Sequence, residues 1–218
     1  MGKIIIVNPY QLFRAALIQL FQQLEDYTVV ADAETGEEAI QLVRQIEPDL
    51  VLLDINMGGI GGIETIKRIK RIQQDTKILV VTTSEAAPYP SMAIKAGAEG
   101  FVSLHDSDDN LMRAVRTIMS GQNYITSHIA QEMAMKSYVE YNSPFETLSE
   151  RELQVMSLIT QCYRVKDIAQ QLYLSPKTVN TYRYRIYGKL GVDSDVGMTI
   201  MAMRHGMLSA YNGKRSRG

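Results

Sequence analysis

With one cysteine in 218 residues, Cys162, the chain can form no intramolecular disulfide and no multi-cysteine zinc site. No apolar run approaches the ~20 residues that span a bilayer, so no membrane segment is expected. The opening MGKIIIVNPYQ lacks a basic region followed by a long apolar stretch; it reads as a first strand rather than a signal peptide, and points to the cytoplasm. The three histidines, His105, His128 and His205, show no ligand spacing. No paired-carboxylate or Ser-His-Asp set stands out, so neither an enzyme nor a metal centre is expected.

The small net charge of -1 conceals an asymmetry. Residues 1–130 hold 11 Lys and Arg against 16 Asp and Glu, a net of -5, whereas residues 145–218 hold 11 against 6, a net of +5. An acidic half tied to a basic half suggests that the second alone meets a polyanion. The length suits two small domains.

The first half alternates short β-branched runs with amphipathic segments. The runs are 3–8, 27–32, 49–54, 77–83 and 100–103; the helical patterns lie at about 11–24, 36–47, 62–73, 88–97 and 108–120. Thr35 with Glu38 fits a capping box, and Gly97 a helix stop. Continuous apolar strands separated by helices predict a parallel sheet covered on both faces, with its site at the carboxyl ends of the strands. There stand Asn8 and Pro9, Asp54, Thr82 and Thr83, and Ser103 and Leu104.

This arrangement, with IKAGAEGFVS at 94–103, resembles the receiver domain of two-component response regulators. The resemblance implies a flavodoxin-like (βα)5 fold. It places Asp54 at the phosphoacceptor position, Thr82 at the hydroxyl that senses the phosphate, and Phe101 at the switch aromatic. The departures lie in the chemistry. Where receivers carry an acidic pair after strand one, this chain has Asn8 and Pro9; where they carry a lysine after strand five, it has Leu104. Met57-Gly58 replaces the Met-Pro step after the phosphoacceptor. Mg²⁺ prefers carboxylates and waters in near-octahedral geometry, so one carboxylate beside a neutral amide is a poor site. The expectation is a degenerate receiver without Mg²⁺ and without aspartyl phosphorylation. The domain is drawn at 1–122.

Residues 123–146 read as a linker: a short helix, with Ile129, Met133 and Val139 on one side, followed by a tether broken at EYNSP. Beyond it, 147–210 reads as all-helical. Ser149 with Glu152 fits a capping box, Thr147 with Glu150 a second option. A helix at about 165–172, a tight turn, and a helix at about 176–189 capped by Ser175 and opened by Pro176 give a helix-turn-helix layout, with a further helix at about 194–206. On the third helix Val179, Tyr182 and Ile186 share the core face, continued by Leu190. Lys177, Asn180, Thr181, Tyr184 and Arg185 fall opposite, with side chains of the kinds that read base edges and hold phosphates. Asn180 suits adenine and Arg185 guanine or a phosphate. Ser175, Lys177, Thr178 and Lys189 are placed as backbone anchors. The tail 211–218 is basic.

The stretch 148–192, with LSERE, IAQQL, SPKTV and KLGV in order, resembles the LuxR-type helix-turn-helix. Cys162 stands where that family often has glycine; it is expected to be a small half-buried filler. The order of the two resemblances is that of NarL/FixJ-class response regulators, and SPFETLSEREL is similar to the GacA/UvrY group. This implies a transcription regulator whose partner is double-stranded promoter DNA, working as a homodimer through the last helix, with a sensor kinase or related regulator as a further partner. Two alternatives stay open: a regulator switched by phosphorylation of Asp54, and an interaction protein that titrates a related regulator or kinase.

Overall fold

The computed structural model describes residues 2–83, 88–104, 107–138, 143–205 and 207. His105, Val139, the break at 140–142 and the tail 211–218 lie outside these. The chain divides into two compact units, Met1–Tyr141 and Asn142–Gly218.

The first unit is a wholly parallel sheet wrapped by helices. Its elements are β1 (Gly2–Val7), α1 (Gln11–Gln22), β2 (Tyr27–Ala33), α2 (Gly36–Ile46), β3 (Leu50–Leu53), α3 (Gly62–Ile72), β4 (Lys77–Thr82), α4 (Tyr89–Ala96), β5 (Gly100–Ser103), α5 (Asp108–Met119), β6 (Tyr124–Ile125) and α6 (Ser127–Tyr138). The first ten fall within two residues of the bounds read from the sequence. Strand order is β2-β1-β3-β4-β5-β6. The order reverses between β1 and β3, the crevice where open α/β sheets place their sites. Strand alternation divides the core. Ile4, Ile6, Leu50, Leu52, Leu79, Val81 and Val102 pack with Leu17 and Phe21 of α1 and Leu111, Ala114, Val115 and Ile118 of α5. Ile5, Val7, Val51, Leu53, Ile78, Val80 and Phe101 are buried on the other face.

The expected boundary at 122 is corrected by β6. Gly100 and Phe101 of β5 pair with Tyr124 and Ile125, and Ile129 of α6 is buried at 1 % exposure. The segment drawn as a linker therefore starts as a sixth strand. Two residues carry too little alternation to show as a strand in a sequence; an open edge of β5 recruits them.

The second unit opens with a 3-10 turn, Pro144–Thr147, whose Phe145 is fully buried, so it too begins before the boundary drawn at 147. Then come α7 (Glu150–Thr160), α8 (Val165–Gln171), α9 (Pro176–Leu190) and α10 (Asp195–Arg204). Ser149 and Glu152 form both halves of the capping box. The alternative at Thr147 is not used: its hydroxyl donates to Pro144 O at 2.7 Å inside the 3-10 turn. Leu153, Met156, Ile168, Leu172, Val179, Ile186, Leu190 and Met198 form the core.

Both α7 and α8 end in left-handed residues without glycine. After α7, Cys162 (φ 65°) donates its amide to Ile159 O and Tyr163 donates to Leu158 O. After α8, Tyr173 (φ 53°) donates to Gln170 O and Leu174 to Ala169 O. These are paired bonds of the Schellman stop, which favours glycine because a Cβ crowds the following carbonyl. Cys162 is exposed, not a half-buried filler.

Candidate functional site

Each unit presents one candidate site. In the first, β1, β3 and β4 deliver Asn8, Asp54 and Thr82 to one spot at the carboxyl edge of the sheet. All three are buried, at 2 %, 4 % and 0 % exposure. Asp54 Oδ2 accepts from Asn8 Nδ2 at 3.2 Å, and Oδ1 accepts from the amide of Asn56 at 3.0 Å. The hydroxyl of Thr82 also bonds the carboxylate. Asn8 Oδ1 accepts from the amide of Tyr10 at 2.8 Å; a backbone N–H needs an oxygen, so this fixes the Nδ2 side toward Asp54. Burial pushes the Asp54 carboxyl above its ordinary range, and the bonds from Asn56, Thr82 and Ile55 only partly offset it.

Arg14, which the sequence reading did not single out, closes the loop between β1 and α1. It donates to the carbonyl of Asn8 at 2.7 Å and to Asp32 at 2.6 Å. The loop after β3 turns through Gly59 (φ 61°) and is held by Glu37, which accepts from the Ile60 amide at 3.1 Å.

Pro9 sits half-buried at the rim and Phe101 is fully buried in the neighbouring strand. Leu104, expected beside the pocket, packs instead against the apolar cluster under α1 and α5, as an aliphatic side chain without a polar partner must. Among the described residues Asp54 is the acidic group that β3 brings to the crevice, and an amide N–H, a donor that repels a cation, faces its Oδ2. Among the described residues no group of three His, Cys, Asp or Glu could hold a metal ion.

In the second unit α9 presents the other site. Ser175 caps it, accepting from Thr178 N at 3.1 Å, and its hydroxyl lies 2.8 Å from that of Thr178. Lys177, Thr181, Tyr184 and Arg185 are exposed, and Asn180 is half-buried. Thr181 donates back to Lys177 O at 3.0 Å, leaving its hydroxyl oxygen available as an acceptor. Lys177 and Arg185 make no ion pair among the described residues.

The other two cations of α9 are taken up within the unit. Lys189 is the correction here. It donates to Glu152 Oε2 at 2.6 Å and to Thr147 O at 3.0 Å, pinning the end of α9 to the start of α7. Glu152 is 3 % exposed, so this lysine compensates a buried carboxylate inside the unit. Arg183 pairs with Asp195 on α10. Helical spacing put Lys189 near a helix end but could not reveal a buried acid 37 residues earlier.

The receiver model, "Response regulator receiver domain", matches residues 4–138, and the model of bacterial regulatory proteins of the luxR family matches residues 146–202. The chain is a LuxR-family response regulator. It is 42 % identical over 212 residues to response regulator GacA of Pseudomonas aeruginosa, covering 96 % of this chain and 99 % of that protein. To response regulator UvrY of Escherichia coli K12 it is 41 % identical over 213 residues, covering 96 % and 97 %. RcsB of Salmonella enterica serovar Typhimurium, solved bound to promoter rprA in the presence of the phosphomimetic BeF3-, superposes with TM-score 0.68 at 23 % identity over 92 % of this chain and 97 % of that one, a likeness of fold. This response regulator is thus a DNA-binding protein of the two-component type. Among its described residues no helix is long and apolar enough to cross a membrane.

Proposed function

We propose that this response regulator binds promoter DNA through the α9 face bearing Asn180, Thr181, Tyr184 and Arg185, and that its receiver works without aspartyl phosphorylation or Mg²⁺. The observation that carries the second part is the Asn8 amide on Asp54 Oδ2. A phosphoryl group arriving at that carboxylate brings negative charge that a metal and a lysine would neutralise. Here the neighbours at the corresponding positions are an amide, a proline and a leucine. Partnership as a homodimer is supported by α10, where Val196 (69 % exposed), Ile200 (45 %) and Met203 (48 %) recur at helical spacing on the outside.

The second reading, a switch at Asp54, is favoured by the retained Thr82 bond to the carboxylate. Incubation with acetyl phosphate and Mg²⁺, read by intact-protein mass, separates the two: no added phosphoryl group is expected, and stoichiometric modification sinks the phosphorylation-independent reading. For the DNA face, Lys177→Ala and Arg185→Ala are each expected to reduce the salt slope of binding by about one. Unaltered slopes and affinities in both would remove α9 from the interface. The interaction-protein reading would show instead as promoter occupancy untouched by these substitutions.

A further inference from the structure

Tyr184, 70 % exposed, and Tyr187, half-buried, lie a turn apart on α9, and their rings meet edge-on with centroids 5.9 Å apart at 86°. The phenol of Tyr187 is used in both directions. It donates to Asp195 Oδ1 at 2.6 Å and accepts from Arg183 Nε at 2.9 Å. Arg183 Nε also donates to Asp195 Oδ1 at 2.7 Å, and its terminal nitrogen bonds Oδ2. Asp195 is the first residue of α10, so partners on two helices fix the ring of Tyr187. Tyr184, by contrast, makes a ring contact with Tyr187 and no hydrogen bond among the described residues.

We propose that Tyr187 is a positioning residue for DNA binding: the Arg183–Tyr187–Asp195 cluster, rooted on α10, pre-orders Tyr184 on the reading face. An exposed side chain that must be ordered when a complex forms weakens it, and a preset rotamer removes that penalty. Edge-to-face contact prefers a defined ring orientation, which a hydroxyl held from two sides supplies. The cluster also accounts for a cation, Arg183, that points away from the face its neighbour Arg185 serves.

The proposal rests on the reading of α9 as the DNA-reading helix. The test uses the full chain in band-shift titrations at two salt concentrations. The probes are a duplex recovered by the unsubstituted protein from a random-sequence pool and a scrambled duplex of the same composition. Tyr184→Ala and Tyr187→Phe are each expected to weaken the selected duplex about tenfold, the change equivalent to about 1.4 kcal/mol. The salt slope should not move, since no cation is lost. The double variant should be no weaker than Tyr184→Ala alone, because the hydroxyl acts through that ring. Asp195→Ala, at a side chain 35 % exposed, removes the acceptor of the phenol, releases it by a second route and should enter the same non-additive cycle. A staple that merely holds two helices together would give losses that add, or none with Tyr187→Phe; either overturns the proposal. If Lys177→Ala and Arg185→Ala weaken binding while Tyr184→Ala does not, the positioning role alone falls. If none of these weakens it, the reading of α9 falls as well.

Discussion

Asn8 holds Asp54. The side-chain amide on the loop after β1 reaches the buried carboxylate after β3 at 3.2 Å, and the Tyr10 amide and the Arg14 guanidinium hold Asn8 in turn. The carboxyl group takes its bonds from neutral donors, the Asn8 amide, the Asn56 N–H and the Thr82 hydroxyl.

Restoring charge should restore chemistry. The variant Asn8→Asp, Pro9→Asp, Leu104→Lys places two carboxylates and an ammonium at those positions, and a lysine stem can lie along the apolar cluster while its head reaches out. Acetyl phosphate with Mg²⁺ is expected to add one phosphoryl group, detected by mass, and the addition should vanish with Asp54→Asn. A folded variant that stays unmodified would show that more than these three positions closes the site.

The Asp54 carboxyl is raised by burial, so the folded protein favours its protonated form. Its contribution to stability is greatest in acid and is lost as pH rises through the folded-state value. Asp54→Asn is therefore expected to raise the melting temperature at neutral pH, with the gain shrinking as pH falls toward the ordinary carboxylate range. A gain that is constant across that range would mean that the charge is not what costs stability.

At Glu152 the sign reverses. Burial works to raise its carboxyl, but the bonds from Lys189 and from Ser149 outweigh it and leave it lowered. Its stabilisation is present at neutral pH and disappears as pH falls through the folded-state value. Lys189→Met strands a carboxylate that is 3 % exposed and is expected to destabilise the second unit by about 2 kcal/mol at neutral pH. The penalty should narrow in acid, where Glu152 is neutral. Denaturant melts at the two pH values decide it; an equal penalty at both would remove the ion pair as the cause.

Cys162 occupies a left-handed position at φ 65° with its side chain exposed. Cys162→Gly relieves a strain of roughly 1–2 kcal/mol, partly offset by the greater freedom of glycine in the unfolded chain. The expected net gain is about 1 kcal/mol, equivalent to about 4–8 °C in the melting temperature of a domain this size. A loss of stability would show that the thiol makes a contact worth more than the strain.

Much of this was legible along the chain because it is written in short-range chemistry. Ser149 and Ser175 bond amides three residues on, so their caps can be read from spacing. Thr35 shows the limit. Its hydroxyl accepts from Glu38 N as expected, but the Glu38 carboxylate reaches past it to the Glu34 amide, a choice of rotamer that spacing leaves open. On α9 Val179, Ile186 and Leu190 are buried as expected, while Tyr182, read as core, and Asn180, read as outside, are both half-buried. The reading of α9 failed at Lys189 and passed over Arg183, because the fate of a cation depends on which acid the fold brings near.

Periodicity, caps and the order of strands and helices belong to the sequence itself: they are set by neighbours a few residues apart, and from them the parallel sheet, the helix-turn-helix and the absence of an acidic pair after β1 all follow. Tertiary structure alone decided that β6 extends the sheet, that Leu104 packs half-buried against the apolar cluster, that Asn8 faces Asp54 with its nitrogen, and that Lys189 and Arg183 serve α7 and α10. Each of these is a pairing between groups distant in the chain, and an ion or hydrogen bond forms only where packing has already brought its two halves within reach.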